Sequence, residues 1–288
     1  MLIYCSAGSI LYSTGLVLQQ RYLHGVVRVY AHLGHANSLA TFTGMHAMIV
    51  LVAAVRSKRF LTSFLFFMTS ICAVMIVMMT VSRGGLAILL LGYFCIAIFT
   101  IRNYLNSRNV MYMAGAVLVL FLMTLIAFDT LKQRFFQDAV ADYQYRNDYN
   151  IEALLMVKDH PLGVGGGNFS AFSWYEYGEL ANERNIPGTP AHNFLLLNLA
   201  ELGYLGLAAF LLIWCRFFSL LHGLKKRLNP SELDKSLIFS AGIAILAMLF
   251  QELLNFSYRQ LPVLLTVMYL CAMVSSIYND YKNQSVKE

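Results

Sequence analysis

Charge is scarce in this chain. Asp, Glu, Lys and Arg make up 12% of its 288 residues, where an ordinary soluble domain carries roughly 25%. Hydrophobic residues reach 58%. A soluble fold of this length cannot hide so much apolar surface, whereas lipid accepts it, so the composition excludes a soluble enzyme and implies an integral membrane protein. Cysteine is sparse as well. Cys5, Cys72, Cys95, Cys215 and Cys271 all fall inside apolar runs without CxxC spacing, which argues for small buried hydrophobes over disulfides or thiolate metal ligands. No paired-carboxylate metal motif stands out, although Asp142, Asp148, Glu152 and Asp159 share one segment. A metal-independent protein without a cofactor is therefore expected. No convincing internal repeat is visible. The first apolar stretch also lacks a basic n-region and an A-x-A-like cleavage site, which argues against a cleaved signal peptide.

What is present is a series of apolar segments. A hydrocarbon core needs about 20 residues per helix, and eight segments qualify: about 2–18, 37–55, 60–82, 84–101, 110–128, 194–221, 237–255 and 262–279. Residues 60 to 101 as one helix would exceed about 60 Å, so the chain must fold back at its only polar break, Ser82-Arg83-Gly84-Gly85. The expected fold is an all-α membrane domain, 1–288, of about eight spans with one long loop, about 129–191, between the fifth and sixth.

The net charge of +6 would suggest nucleic acid in a soluble protein; here it is a matter of topology, and no nucleic-acid partner is expected. One set of loops holds Arg56, Lys58 and Arg59, then Arg102 and Arg108, then Lys225, Lys226, Arg227 and Lys235, with Lys282 and Lys287 in the tail. The alternate set holds Arg21, Arg28, Arg83, Arg259 and the long loop. The positive-inside bias makes the first set cytoplasmic. Both termini then lie on the cytoplasmic side of the membrane and the long loop on the outer side.

Arginines on the outer side run against that bias. Arg28, Arg83 and Arg259, the last beside Tyr258, fall on three different hairpins of one face. Snorkelling to lipid headgroups accounts for any one of them. Three together suit a diphosphate at the interface, because the planar guanidinium matches phosphate oxygens.

In the long loop, Tyr143 to Lys158 reads as a helix with Arg146 near its start. His160-Pro161 ends it, and Leu162-Gly163-Val164-Gly165-Gly166-Gly167-Asn168 makes a turn. That run is weak as a nucleotide-binding signature: no strand precedes it, and the expected lysine or acidic partner is missing. A packed turn is the better reading, with anion binding by its N–H groups the lesser one. Phe169, Phe172, Trp174, Tyr175 and Tyr177 suit either an interfacial belt or stacking on sugars.

Gly188-Thr189-Pro190-Ala191-His192-Asn193 leads into the sixth span. Thr189 reads as an N-cap and Pro190 as the first helical residue. His192 then falls in the first turn, where the helix dipole disfavours imidazolium and leaves a neutral base. At 100° per residue Gly203 and Gly206 return within about 40° of its face, a small-residue stripe that turns His192 into the bundle. Glu201 falls opposite and needs a partner. On pattern alone, an interfacial histidine is more often structural than catalytic.

At these residues the sequence resembles the O-antigen ligase and polymerase superfamily of bacterial envelope enzymes. His192-Asn193, followed after nine residues by Gly203-Tyr204-Leu205-Gly206, looks like its histidine motif. His160-Pro161-Leu162-Gly163-Val164-Gly165 with Asn168-Phe169 is similar to its upstream turn, and Ser82-Arg83-Gly84 to its Ser-Arg-Gly element. Arg28 with Asn37-Ser38-Leu39-Ala40 resembles its earlier arginine and Asn-x-x-Ala segment, and Arg146 stands where members often carry an arginine. The matches run in order from about residue 28 to 206.

The resemblance implies a GT-C-like transferase that moves a glycan from undecaprenyl pyrophosphate to an acceptor hydroxyl at the outer face, with lipid A-core or another glycan as acceptor. It implies His192 as base, and Arg83 and Arg28 as the stabilisers of pyrophosphate charge. Arg146, Arg259, Asn193 and Tyr258 follow as substrate-binding residues, and membrane lipids are a further expected partner of the chain. Members usually carry several more N-terminal helices, so the expectation is a chain without them. A polymerase of the same family, a transporter or flippase of lipid-linked glycan, and an inactive truncated member are the alternatives.

Overall fold

The computed structural model describes residues 1–25, 28–126, 128–132, 139–177, 188–227 and 231–285. Lys287 and the 133–138 and 178–187 parts of the expected loop lie outside the described residues, as do the side chains of Asp142, Lys225, Lys226 and Arg227. Among the described residues the regular structure is entirely helical: α1 (Leu2–His24), α2 (Ala36–Arg56), α3 (Phe60–Thr80), α4 (Arg83–Asn103), α5 (Ser107–Ile126), α6 (Phe128–Lys132), α7 (Ala139–Asp159), α8 (Phe169–Tyr175), α9 (Phe194–Arg227), α10 (Glu232–Glu252) and α11 (Leu261–Ser285). Short 3-10 turns occupy Ala31–Leu33 and Ser257–Arg259. Eight of these helices are long and apolar enough to cross a membrane. They coincide with the eight expected spans, the first and last running several residues further than hydropathy indicates. The chain is a multi-pass helical membrane protein.

Contacts group the residues into two compact units: residues 1–131, 220–251 and 257–288 form one, and 132–219 with 252–256 the other. The first unit is built round α2, whose apolar window is 94% buried. Small residues allow close packing there: a Cβ at Gly85 of α4 would lie 2.5 Å from the Ala40 Cβ of α2, the kind of approach by which membrane helices associate. Ser82 starts α4 as its cap, its Oγ accepting from the Gly85 N–H at 3.2 Å. The turn before it is held by the Thr80 hydroxyl, which accepts from the Ser82 N–H at 3.2 Å.

Helix ends in this unit fall into two groups. At one end, Arg28 bonds to Thr80 and Asn37, Gln251 to Asn37, and Ser38 to Ser257. These bonds join the α1–α2 connection, the end of α3, the end of α10 and the turn before α11. At the other end, Arg108 and Asn109 donate to the Val55 carbonyl, and Tyr104 meets Ser236. That second group contains the basic turns read from the sequence, those of Arg56, Lys58 and Arg108.

The second unit has its own core, in which Tyr149, Ala153, Met156 and Val157 of α7 meet Phe169 of α8 and Leu197 and Ala200 of α9. The glycine turn after α7 locks into α9. Val164 and Gly165 donate to the Ala200 and Glu201 carbonyls at 3.0 and 2.8 Å, and Tyr204 donates back to the Pro161 carbonyl at 3.2 Å. Gly203 at φ 67°, ψ −173° breaks the helical path of α9. A Cβ there would collide with the Leu162 backbone, and one at Gly163, φ 88°, with the Glu201 carbonyl. Both positions combine a left-handed φ with a backbone contact, so both require glycine.

Candidate functional site

One candidate cluster lies within the first unit. Arg28 donates through Nε to the Thr80 carbonyl (2.9 Å) and through Nη2 to the Asn37 Oδ1 (3.2 Å), so two of the guanidinium's five N–H donors fix its position. Asn37 also accepts, through its backbone carbonyl, from the Gln251 Nε2 at 3.0 Å. Gln251 borders Gly84, where a Cβ would lie 3.6 Å from its Cγ. Arg83, half-buried, is the first residue of α4, where the amides of the helix start favour negative charge beside it. Ser38 of α2 bonds Ser257 at 3.2 Å, which ties down the turn carrying Tyr258 and Arg259. Arg259 donates through Nε to the Tyr258 hydroxyl at 3.3 Å and lies 5.8 Å from its ring centroid. The three arginines read from three separate hairpins thus come from elements gathered at one end of this unit.

The other cluster lies within the second unit, and here the helix start differs from expectation. α9 begins at Phe194, with Asn193 as its cap: the Oδ1 accepts from the Leu195 and Leu196 N–H groups at 3.0 and 3.3 Å. Thr189 and Pro190 precede the helix in irregular backbone. Thr-Pro and Asn are both competent starts, and the asparagine wins because its carboxamide reaches two first-turn amides. His192 therefore stands just before the cap, outside the first turn. The expected stripe with Gly203 and Gly206 fails for a second reason, since the break at Gly203 ends the 100° phase.

Aromatic packing orients His192 in place of that stripe. Its half-buried ring lies 6.2 Å from Tyr149 at an interplanar angle of 30°, and 5.2 Å from Phe256 at 80°. Ala191, just before it, is fully buried in the core. Arg146, one turn before Tyr149 on α7, donates through Nη1 to the Leu254 carbonyl. Segment 254–256 is thus a common neighbour of Arg146 and His192. Tyr149 was within reach of sequence reasoning, because i,i+3 places it on the Arg146 face. Phe256 carried no local signal.

The turn's amides do bind an anion, and it is internal. Glu201, buried on α9, accepts from the Gly167 N–H at 2.8 Å and the Phe169 N–H at 3.3 Å. This is the partner its face demanded. Nearby, burial pushes the Glu152 carboxyl above its ordinary range, partly offset by a hydrogen bond from Ser173. Burial, with the Asp159 carboxylate at 2.8 Å, raises the Tyr177 phenol.

Helical spans, with a structured segment between the fifth and sixth of them in which a histidine rests on two aromatic rings and an arginine bonds the Leu254 carbonyl, define a multi-pass helical membrane protein. A family model described as O-antigen ligase matches residues 68–211, and the chain belongs to that family, one of membrane enzymes that transfer glycans. The match encloses Arg83, Arg146, the glycine turn, His192 and Glu201; Arg28 lies before it, and Tyr258 and Arg259 beyond it. No curated protein matches the chain.

Proposed function

We propose that the chain is an O-antigen ligase-like glycosyltransferase acting at the outer face of a bacterial plasma membrane, with both termini and the basic helix ends in the cytoplasm. The donor is a glycan on undecaprenyl pyrophosphate, and the acceptor is a hydroxyl of lipid A-core or of another glycan. In the transfer, the acceptor oxygen forms a bond to the anomeric carbon as the bond from that carbon to the phosphate oxygen breaks. The acceptor proton passes to a ring nitrogen of His192, and undecaprenyl pyrophosphate leaves. Arg83 and Arg28 stabilise the charge that develops on the leaving group, an effect typically worth a few kcal/mol. Arg146, Arg259 and Tyr258 hold the second phosphate or the acceptor, and Asn193 positions His192 through the α9 cap. No metal is required.

The observation that carries this reading is the family match, whose limits enclose both His192 and Arg83. The pinned guanidinium of Arg28 and the aromatic seat of His192 support it, because pre-set geometry is what electrostatic and base catalysis need. The test is stoichiometric. Membranes from cells without their own ligase and polymerase receive labelled lipid-linked glycan and candidate acceptors. The expected result is one undecaprenyl pyrophosphate released per acceptor glycosylated. Movement of intact donor between leaflets without glycosylation would replace the proposal with a flippase.

A further inference from the structure

The end of the first unit remote from Arg28 holds a cavity of about 870 Å³, within the range of small-molecule sites. It is formed by the starts of α1 and α3, the end of α2, the α4–α5 connection and the start of α10. Arg56, Lys58 and Arg108 are its charged lining residues; among the described residues no carboxylate lines it. Arg108 is fixed, donating through Nη2 to the Val55 carbonyl and through Nε to Asn109. Arg56 is half-buried, and its Nε is buried with no hydrogen-bond partner among the described residues. Guanidiniums gathered without a counter-charge repel one another in a medium of low dielectric, and a buried donor left unmade is costly. An anion relieves both.

The rest of the lining says what the anion is attached to. Its accessible apolar lining comes from Ile3 and Tyr4 of α1 and Leu237 of α10, while Ile49 and Val52, on the Arg56 face of α2, are themselves buried. Phe66 of α3, in ring contact with Tyr4 of α1 at 5.7 Å, continues the apolar wall. A cationic mouth over an apolar shaft is the complement of an amphiphile with a phosphate head. We propose that this cavity binds an anionic phospholipid of the adjacent leaflet, its phosphate on Arg56 and Arg108 and the upper part of an acyl chain along Ile3 and Tyr4. The site is separate from the proposed transfer chemistry and independent of it.

Native mass spectrometry of the purified full chain, titrated with phosphatidylglycerol or phosphatidylcholine of identical acyl chains, tests this. Wild type should hold one phosphatidylglycerol with a preference of about tenfold or more, the scale that two or three cations supply at an anionic head. Arg56→Gln with Arg108→Gln should bring the two lipids close to parity. Arg59→Gln, an exposed cation outside the lining, should leave the preference intact. Thr62→Trp, which fills the cavity and keeps every cation, should lose phosphatidylglycerol, and it carries the test if the double variant does not fold. Equal binding of both lipids by wild type would overturn the proposal. So would a loss in Arg59→Gln as large as in the double variant, which would mean diffuse surface charge. Displacement of the lipid by millimolar inorganic phosphate would equally overturn it, since the apolar shaft would then contribute nothing.

Discussion

His192 and Arg83 each hold a position that neighbouring residues decide. His192 follows buried Ala191 and precedes the Asn193 cap, so its backbone is fixed on both sides while its ring rests on Tyr149 and Phe256. Asn193→Ala should cost about 1 kcal/mol through loss of the cap, read as a lower unfolding midpoint in detergent, with a fall in transfer because the histidine's support is loosened. For Arg83, Lys keeps the charge and loses the planar fork. Arg83→Lys should insert normally and lose about a hundredfold or more in transfer rate, the scale of removing one preorganised donor; near-normal transfer would end its assigned role. At this scale the sequence was informative about which residues are unusual and poor about what they touch. An arginine against the positive-inside bias is visible as a string of letters. The Leu254 carbonyl that receives Arg146, over a hundred residues away, is not.

The glycine turn and the start of α9 form one mechanical element. Gly203→Ala forces a left-handed φ on a Cβ and drives it into the Leu162 backbone. That should destabilise by about 2 kcal/mol or more, seen as low yield and a lowered midpoint. Glu201→Gln removes the charge from its bonds to the Gly167 and Phe169 amides, at a cost of about 1–3 kcal/mol. Hydrogen exchange over residues 163–172 should accelerate in that variant, and unchanged protection would contradict the clamp. Glu152 gives a pH signature. Its carboxyl is raised in the folded state, so the unfolded chain loses its proton first. The associated stability is full below the ordinary carboxylate value and declines as pH rises towards the folded one. Glu152→Gln should therefore gain on wild type at neutral pH and lose that advantage in acid, measured by melting both across that range. The glycine spacing and the need of Glu201 for a partner were both legible; that each answers the other was not, because the helix phase assumed through Gly203 does not exist.

Across the molecule, hydropathy located the eight helices that, among the described residues, are long and apolar enough to cross a membrane, because lipid imposes length and apolarity on every crossing. It could not show that α2 is the buried centre, since an apolar face toward lipid and one toward protein read alike. The grouping of basic turns at one end of the first unit supports the proposed cytoplasmic assignment. In a cysteine-free background, Tyr175→Cys should react with a membrane-impermeant maleimide in intact cells, and Lys58→Cys only after permeabilisation; the reverse pattern would invert the topology. Family membership rests on the matched segment, and the chemistry proposed for it rests on His192. The most direct measurement is glycan transfer by membranes carrying wild type or His192→Ala at equal, correctly inserted amounts. A positioned base contributes about 10²–10⁴-fold, so wild type should transfer and the variant should lose at least about a hundredfold. Transfer by His192→Ala at the wild-type rate would contradict that chemistry.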